Sequence, residues 1–279
     1  MKNCYSFSFG KAAWKHMLCF ALLLCFMGMN AQQWSFVGSQ SGISSGGSSF
    51  QNLAKDATGN IYISYYDVTV TKGSVQKYDG TSWSYLGGSA GITTGTATYN
   101  SLSTDAAGNV YYTNQAGWPA SGMEVRKFNG TAWSQLPNAT NTTINIQASA
   151  VAPNGTLIVA NNEASGTVKR FVNGAWEQIG ANGFAGGTPS YLDMVVGSDN
   201  TIYVSYVING NVYVMQNDIN AATGLAWEYV GGGSIAPATS SEQYRSALAI
   251  DADDNLYIAY ASLSASGNRM NVKKYNGTV

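Results

Sequence analysis

Cysteine and histidine are missing from most of this chain. Cys4, Cys19, Cys25 and the single His16 all lie within the first 30 of 279 residues. If these first residues are removed as a leader peptide, the remaining protein has neither a thiol nor an imidazole. This absence excludes cysteine or histidine zinc sites, Ser-His-Asp and Cys-His catalysis, and disulfide bonds. Packing and hydrogen bonds alone must hold the fold.

Charged residues and prolines are also scarce. Only 10% of the residues are charged, the formal net charge is -1, and there are 5 prolines against 32 glycines. A nucleic-acid partner requires a basic stripe, which this composition does not provide. Many glycines with few prolines suit tight turns between strands. No motif is typical of cofactor binding, so we expect no cofactor.

A tryptophan motif, Trp-[Ser/Glu]-x-apolar, recurs along the chain. Its copies begin at Trp34, Trp83, Trp133, Trp176 and Trp227. Most copies close a unit of four short predicted strands, as residues 99–136 illustrate. A repeated unit of four strands is the signature of a β-propeller blade. We therefore predict an all-β fold in which residues 32–279 form a β-propeller of five four-stranded blades.

Two kinds of turn recur inside these units. An Asp-Ala-Ala-Gly-like segment precedes the second strand, where Asp accepts backbone hydrogen bonds and Gly tolerates a positive φ. An aromatic residue stands five positions before three of the tryptophans. We predict that each aromatic residue and its tryptophan form a cross-strand pair that closes a short hairpin. The pairs are Tyr78 with Trp83, Phe128 with Trp133, and Phe171 with Trp176.

The two ends of the repeat region are incomplete in a complementary way. Trp34–Gly38 resembles a last strand with no unit in front of it, and the chain stops one residue before the next expected tryptophan. We predict that residues 34–38 pair beside residues 271–275 and complete the last blade. A compatible alternative is that the chain is a C-terminally truncated piece of a longer protein.

Residues 1–31 have the anatomy of a secretory signal peptide. A basic start precedes an apolar run from Met17 to Met29, and cleavage is expected after Ala31. The run is short for a bilayer span, so we expect no membrane span after its removal. Leu22–Cys25 weakly resembles a lipoprotein cleavage box, but the leucine directly before the cysteine argues against it. We expect a secreted or cell-surface protein.

The repeat itself resembles a known class. The motif D-x-x-G-N-[IV]-Y followed by K-[YF]-[DN]-G-T-x-W resembles the β-propeller repeats of exported bacterial surface proteins, of the NHL-like and SBBP-like kind. The leader ending Asn-Ala-Gln is similar to that of a Bacteroidota secreted protein. The resemblance covers residues 34–279 and implies adhesive, carbohydrate-binding or scaffolding roles, with no specific activity.

Loop lengths predict a binding face. The second-to-third and inter-blade connections are long and emerge on the same side of an antiparallel blade. Aromatic and amide side chains at the starts of inner strands, among them Phe50, and at the ends of second strands approach this side, where they suit a glycan or an extracellular protein surface. Inter-blade and rim packing is the alternative role. The predicted ligand-binding residues are Trp118, Tyr65, Tyr99, Asn114, Asn161, Tyr191, Tyr206, Tyr244 and Tyr260.

Three carboxylates near this face keep an enzymatic alternative open. Asp67, Glu124 and Glu163 are candidates for a glycoside hydrolase or lyase, which needs two suitably spaced acids. A structural spacer within a larger exported protein is a further alternative. For these reasons we favour an exported binding, adhesion or scaffold propeller.

One segment has the oxygen-ligand spacing of a calcium loop. Asp251, Asp253 and Asn255 alternate along the chain, but the following glycine and the distal glutamate are missing. Equivalent positions in other units are ordinary turns. We therefore favour a turn over a metal site.

Overall fold

The structure, a computed structural model, describes residues 34–39, 41–117, 122–237, 246–262, 269–275 and 277. The chain divides into two units, Met1–Ser41 and Gly42–Val279. The second unit carries all the strands found in the described residues. None of the helices in the described ranges has the length and apolar character needed to cross a membrane.

Antiparallel sheets make up the second unit, one sheet for each blade. Blade 1 contains β1 (Ser48–Lys55), β2 (Ile61–Asp67), β3 (Lys72–Tyr78) and β4 (Trp83–Tyr85). Blade 2 contains β5 (Ala97–Thr104), β6 (Val110–Ala116), β7 (Met123–Phe128) and β8 (Trp133–Thr140). Blade 3 contains β9 (Gln147–Val151), β10 (Leu157–Asn161), β11 (Thr167–Val172) and β12 (Ala175–Ile179).

The last two blades depart from the four-strand rule. Blade 4 contains β13 (Ser190–Val196), β14 (Thr201–Ile208), β15 (Asn211–Asp218), β16 (Glu228–Tyr229) and β17 (Ala236–Pro237), with both β16 and β17 paired to β15. Blade 5 contains β18 (Ala247–Ile250), β19 (Leu256–Ser262) and β20 (Arg269–Lys274). Three short 3-10 helices lie at Val37–Ser39, Glu163–Ser165 and Val230–Gly232.

The five blades form the predicted β-propeller, and the second strands are its most buried elements. All five residues of β10 are buried, as expected for a strand covered on both faces by neighbouring blades. Separate apolar clusters fill the spaces between consecutive blades. Between blades 3 and 4, for example, Ile158 and Val168 pack in one cluster with Met194 and Ile202.

The predicted aromatic–tryptophan pairs are confirmed. The ring centroids lie 5.4 Å apart in blades 1 and 2 and 5.0 Å apart in blade 3, and the two residues of each pair are opposite each other on adjacent strands. The indole also reaches the preceding blade. Trp133 Nε1 donates to the carbonyl oxygen of Leu86 at 2.7 Å, and Trp176 Nε1 donates to that of Pro137 at 2.7 Å. The motif therefore joins blades at their outer rim.

The recurring aspartate organises the turn between the first two strands. In blade 1, Asp56 accepts hydrogen bonds from the backbone N–H of Thr58 and Asn60, the Asn60 amide and the Tyr62 hydroxyl, at 2.7 to 2.9 Å. Burial acts to raise the pKa of Asp56, but the bonds from Asn60, Thr58 and Tyr62 outweigh it and hold the pKa well below its ordinary value. Burial and the Asp56 charge raise the pKa of Tyr62 to about 12.

The predicted N-terminal strand is not formed. Residues 34–36 have no regular secondary structure, and Val37–Ser39 is a 3-10 helix. Gly38 adopts φ 78° and ψ 17°, the same left-handed turn that Gly231 forms after β16 in blade 4, with φ 78° and ψ 15°. In the described residues, blade 5 therefore has three strands, without the closing strand expected at 34–38.

We predict that Asp56→Asn lowers Tm by about 3–6 °C at neutral pH, the effect of losing roughly 1–2 kcal/mol of hydrogen bonding. The amide keeps one acceptor oxygen but turns an NH₂ group toward the Asn60 amide. Because folding depresses the Asp56 pKa, its stabilisation is complete above the unfolded pKa of about 4 and is lost as pH falls through the folded pKa. The difference in Tm between the variant and the wild type therefore becomes smaller at acidic pH.

Thermal unfolding followed by circular dichroism across pH measures this difference. Asp253→Asn is the matched control, because Asp253 lies in the equivalent turn of blade 5 and its side chain is exposed. An Asp56→Asn variant as stable as this control at neutral pH would contradict the assigned role of Asp56.

Candidate functional site

A cavity of about 300 Å³ lies where the inner strands of all five blades begin. We call it the axial cavity. These strand starts pair with the ends of the second strands, as Ala97 does with Ala116, so the cavity lies toward the side of the inter-blade connections. Its lining residues are Phe50, Gln51, Asn52, Tyr99, Asn100, Ser101, Ile146, Gln147, Ala148, Tyr191, Leu192, Asp193, Ser246 and Ala247.

Three aromatic residues in the lining have an unusual backbone. Phe50, Tyr99 and Tyr191 adopt φ values of 55°, 47° and 55°. Each lies in a register irregularity between the inner and second strands. Positive φ is rare for bulky side chains and costs about 1–3 kcal/mol. Three blades therefore share one strained bulge, and it brings an aromatic ring to the cavity in each.

The carbonyl groups of these aromatic residues hold the next blade. Each carbonyl oxygen accepts a hydrogen bond from a polar side chain on the following inner strand. The Asn100 amide reaches Phe50 at 2.7 Å, the Gln147 amide reaches Tyr99, and the Ser246 hydroxyl reaches Tyr191 at 3.3 Å. The strained residues therefore join neighbouring blades as well as lining the cavity.

The polar lining is concentrated on two sides. The Asn52 amide donates to the side-chain oxygen of Asn100 at 2.8 Å, and the Ser64 hydroxyl donates to the same oxygen at 2.8 Å. Among the described residues no cation forms a salt bridge with Asp193, which accepts the backbone N–H groups of Met194 and Leu248, each at 2.8 Å. Burial raises the pKa of Asp193 above its ordinary value despite these two bonds.

Two predicted ligand-binding residues line the cavity. Tyr99 is 40% exposed and its ring lies 4.9 Å from that of Phe50. The Tyr99 hydroxyl has no hydrogen-bond partner among the described residues. Tyr191 lies across the cavity and is half-buried. Trp118 and Tyr244 lie outside the described residues.

The predicted residues at the ends of second strands are interior. Their side chains are 0 to 4% exposed and do not line the axial cavity, so they are not placed to contact a ligand there. Instead they pack: Tyr65 accepts a hydrogen bond from the Gln76 amide at 2.7 Å, and Tyr206 stacks on Tyr213 at 5.4 Å. The neighbouring blades cover both faces of these strands. The five residues are Tyr65, Asn114, Asn161, Tyr206 and Tyr260.

The three candidate carboxylates lie in three different blades, and none lines the axial cavity. Buried Asp67 accepts the backbone N–H of Thr69 at 3.0 Å. Buried Glu124 forms an ion pair with Arg126 at 2.7 Å, and Glu163 forms one with Lys169 at 3.1 Å. Burial acts to raise the pKa of Glu163, but the Lys169 ammonium group and nearby threonine hydroxyls hold it below its ordinary value. Each carboxylate is therefore engaged by local hydrogen bonds or an ion pair.

The possible calcium loop has the structure of a turn. Asp251 accepts the backbone N–H groups of Asp253 and Asn255, the Asn255 amide and the Tyr257 hydroxyl, at 2.8 to 3.1 Å. These contacts repeat those of Asp56 in blade 1. They occupy the oxygens that a cation would need.

Sequence reasoning missed the polar part of the cavity. Asn52, Ser101 and Asp193 each stand two residues after one of the strained aromatic residues. The repeated pattern aromatic-x-[Asn/Ser/Asp] at the start of an inner strand was a usable signal. The inter-blade bond from Gln147 had no such signal, because blade 3 has Ile146 where blades 1, 2 and 4 have an aromatic residue.

Comparison with known proteins supports the fold alone. No protein-family model matches the chain, and no curated protein matches it. A fucose-specific lectin from Aleuria aurantia is similar in structure, with a TM-score of 0.55 and 14% identity over 82% of this chain and 78% of that one. The SapL1 lectin in complex with α-methyl fucoside gives 0.53 and 15%, covering 82% and 81% of the two chains.

A third similar structure comes from a bacterium. It is a protein of unknown function from Dyadobacter fermentans, with a TM-score of 0.53 and 13% identity over 83% of this chain and 80% of that one. At such identities the likeness establishes a propeller architecture and leaves the ligand to be argued from the cavity.

We predict that Tyr99→Gly is more stable than Tyr99→Ala by about 1 kcal/mol, or about 2–4 °C in Tm, because glycine relieves the positive φ at this position. Chemical denaturation of the two variants measures the difference.

Tyr229 is the matched control for this comparison. It is 45% exposed, against 40% for Tyr99, but has φ -73° and ψ 127°, an ordinary extended conformation. There, glycine should be the less stable replacement. The same order at both positions would show that Tyr99 carries no backbone strain.

Proposed function

We propose that this protein binds carbohydrate in the axial cavity. The observation that carries the proposal is the juxtaposition of Phe50, Tyr99 and Tyr191, from three blades, around a cavity of about 300 Å³. Such a volume is at the lower end of the range typical of small-molecule sites. A cavity of this size suits one or two sugar rings.

The chemistry of the lining fits a sugar. Sugar rings have apolar C–H faces that stack on aromatic rings, and hydroxyl groups that need hydrogen-bond partners. Phe50 and Tyr99 offer adjacent ring surfaces, and the Tyr99 hydroxyl is available as a donor and acceptor. Asp193 is the acidic residue among the described lining residues and offers a strong acceptor for a sugar hydroxyl.

The propeller neighbours support the same ligand class. The lectin from Aleuria aurantia is described as fucose-specific, and SapL1 was crystallised with α-methyl fucoside. Those properties belong to the two lectins. For this chain they identify fucosides as the first compounds to test, while the aromatic residues and Asp193 supply the physical argument.

The setting of this activity is also part of the proposal. The leader anatomy of residues 1–31 and the resemblance of the repeat to NHL-like and SBBP-like surface proteins both support export to the medium or the cell surface. There the protein would present its loop-rich face to extracellular glycans. The scarcity of charge suits recognition of neutral sugars through stacking and hydrogen bonds.

We predict that the purified full chain binds a defined set of glycans on an array, and that Tyr99→Ala weakens binding of the best ligand by about tenfold or more, since it removes a stacking surface and a hydroxyl. Calorimetry with that ligand and with α-methyl fucoside measures the change.

Tyr229→Ala is again the control, because it removes a similarly exposed tyrosine that does not line the axial cavity. It should bind as wild type does. Loss of binding in both variants, or in neither, would place the binding site elsewhere. An array with no bound glycan would refute carbohydrate recognition.

We predict that expression in a bacterium of the Bacteroidota, the group whose leaders this one resembles, yields exported protein whose N-terminus is Gln32. Edman degradation or mass spectrometry of the secreted or surface fraction identifies the terminus. Deleting residues 17–29 should retain the protein in the cytoplasm. Export of that deletion variant would contradict the assignment of these residues as the signal.

A further inference from the structure

The axial cavity contains one charge that no cation balances in the part of the chain that the structure describes. Asp193 lines the cavity, and none of the other described lining residues is charged. Its carboxylate accepts the backbone N–H groups of Met194 and Leu248 and takes part in none of the described salt bridges. An ionised carboxylate that is removed from water without a countercharge costs free energy. Asp193 therefore needs an explanation beyond packing.

The charge is not required to join the blades. The equivalent residues are Asn52 in blade 1 and Ser101 in blade 2, each two positions after a strained aromatic residue. Both also contact the following blade: the Asn52 amide donates to Asn100 at 2.8 Å, and the Ser101 hydroxyl accepts that of Ser149 at 3.0 Å. Neutral side chains therefore make this connection in blades 1 and 2, which leaves the charge of Asp193 without a structural role.

The carboxylate can accept further hydrogen bonds. When it is ionised, its two oxygens offer about four acceptor positions. The two N–H groups occupy one position on each oxygen, because Met194 donates to Oδ1 and Leu248 to Oδ2. Burial raises the pKa of Asp193 above its ordinary value, and an adjacent cation would oppose this effect by favouring the charged form. A ligand with a positive charge would supply the missing partner.

The aromatic lining favours the same kind of ligand. The rings of Phe50 and Tyr99 lie 4.9 Å apart at an interplanar angle of 49°, and both residues line the cavity. Tyr191 lines it from blade 4, two residues before Asp193. The face of an aromatic ring attracts a cation, most strongly where water is excluded, and aromatic rings around a cavity are a known means of recognising organic ammonium groups.

We propose that the axial cavity prefers a sugar that carries a protonated amino group, and that Asp193 is the residue that selects it. The inference rests on the proposed carbohydrate binding: the aromatic rings stack on the sugar, and the carboxylate receives the ammonium group. The low charge of the whole chain suits neutral sugars, and this single carboxylate adds the preference for an amine. An acidic sugar meets a like charge at the same place and binds more weakly.

Three β-1,4-linked disaccharides that differ only in the group at C2 test the preference. They are the disaccharides of glucosamine, N-acetylglucosamine and glucose, and a cavity of this size suits one or two sugar rings. Calorimetry with the purified full chain at about pH 6, where such an amine is protonated, measures the three affinities. We expect the glucosamine disaccharide to bind about tenfold or more tightly than the other two, the effect of one charge-assisted hydrogen bond.

Asp193→Asn tests the assigned residue, because it removes the charge and keeps the size of the side chain. Both affinities should fall, since an amide is a weaker acceptor, but the affinity for the glucosamine disaccharide should fall about tenfold more than that for the glucose disaccharide. Circular dichroism and thermal unfolding verify that the variant is folded. The wild-type comparison of the three disaccharides stands whatever the stability of this variant.

Asp253→Asn is the matched control. It removes one negative charge from an exposed turn residue that does not line the axial cavity. It should therefore keep the wild-type preference for the glucosamine disaccharide. A loss of preference in both variants would assign the effect to the overall charge of the protein and overturn the role of Asp193.

The results separate this inference from carbohydrate binding itself. If the glycan array yields a ligand but the glucosamine disaccharide binds no more tightly than the glucose disaccharide, the amine preference is overturned and carbohydrate binding stands. A preference that survives Asp193→Asn also overturns it. An array with no bound glycan removes both proposals. A preference that Asp193→Asn abolishes and Asp253→Asn retains supports the assignment.

Discussion

The ring is held together at its axis by hydrogen bonds from one blade to the main-chain carbonyl of a strained aromatic residue in the preceding blade. The described chain has no disulfide, so side chains must supply the inter-blade connections. Asn100, Gln147 and Ser246 supply them at the axis. At the outer rim, Trp133 and Trp176 act in the same way, through their indole N–H groups. Blades 1 and 2, and blades 2 and 3, are thus joined both at the axis and at the outer rim, and the apolar clusters fill the space between.

This arrangement links stability to binding. The bulge at Tyr99 gives its carbonyl to Gln147 and its ring to the axial cavity. A regular inner strand would alternate its side chains between the two faces of the sheet and would avoid the cost of a positive φ. Blade 3 shows the alternative: its inner strand pairs without a bulge, and Ile146 rather than an aromatic residue occupies the position. Among the described inner strands, this bulge therefore occurs in the blades whose aromatic residues reach the cavity.

Local patterns in the sequence were sufficient to predict the fold but not to predict the axial cavity. The separation of five residues between Phe128 and Trp133 reports a hairpin, because both residues belong to one pair of adjacent strands. Residues from five distant segments build the axial cavity, so no single segment predicts it. From the sequence pattern alone, Tyr65 and Tyr206 could not be told apart from exposed tyrosines. They are buried because neighbouring blades cover both faces of the second strands.

Blade 5 has an outer strand that is more exposed than its equivalent in blade 3. Five of the six residues in β20 are exposed, whereas the equivalent β11 of blade 3 has none that is. Local opening begins where few apolar contacts oppose it, so blade 5 is the region of the propeller expected to open first. Blade 5 also contributes Ser246 and the Leu248 N–H that contacts Asp193. Local opening of blade 5 would therefore also disturb one wall of the axial cavity, because these contacts belong to that wall.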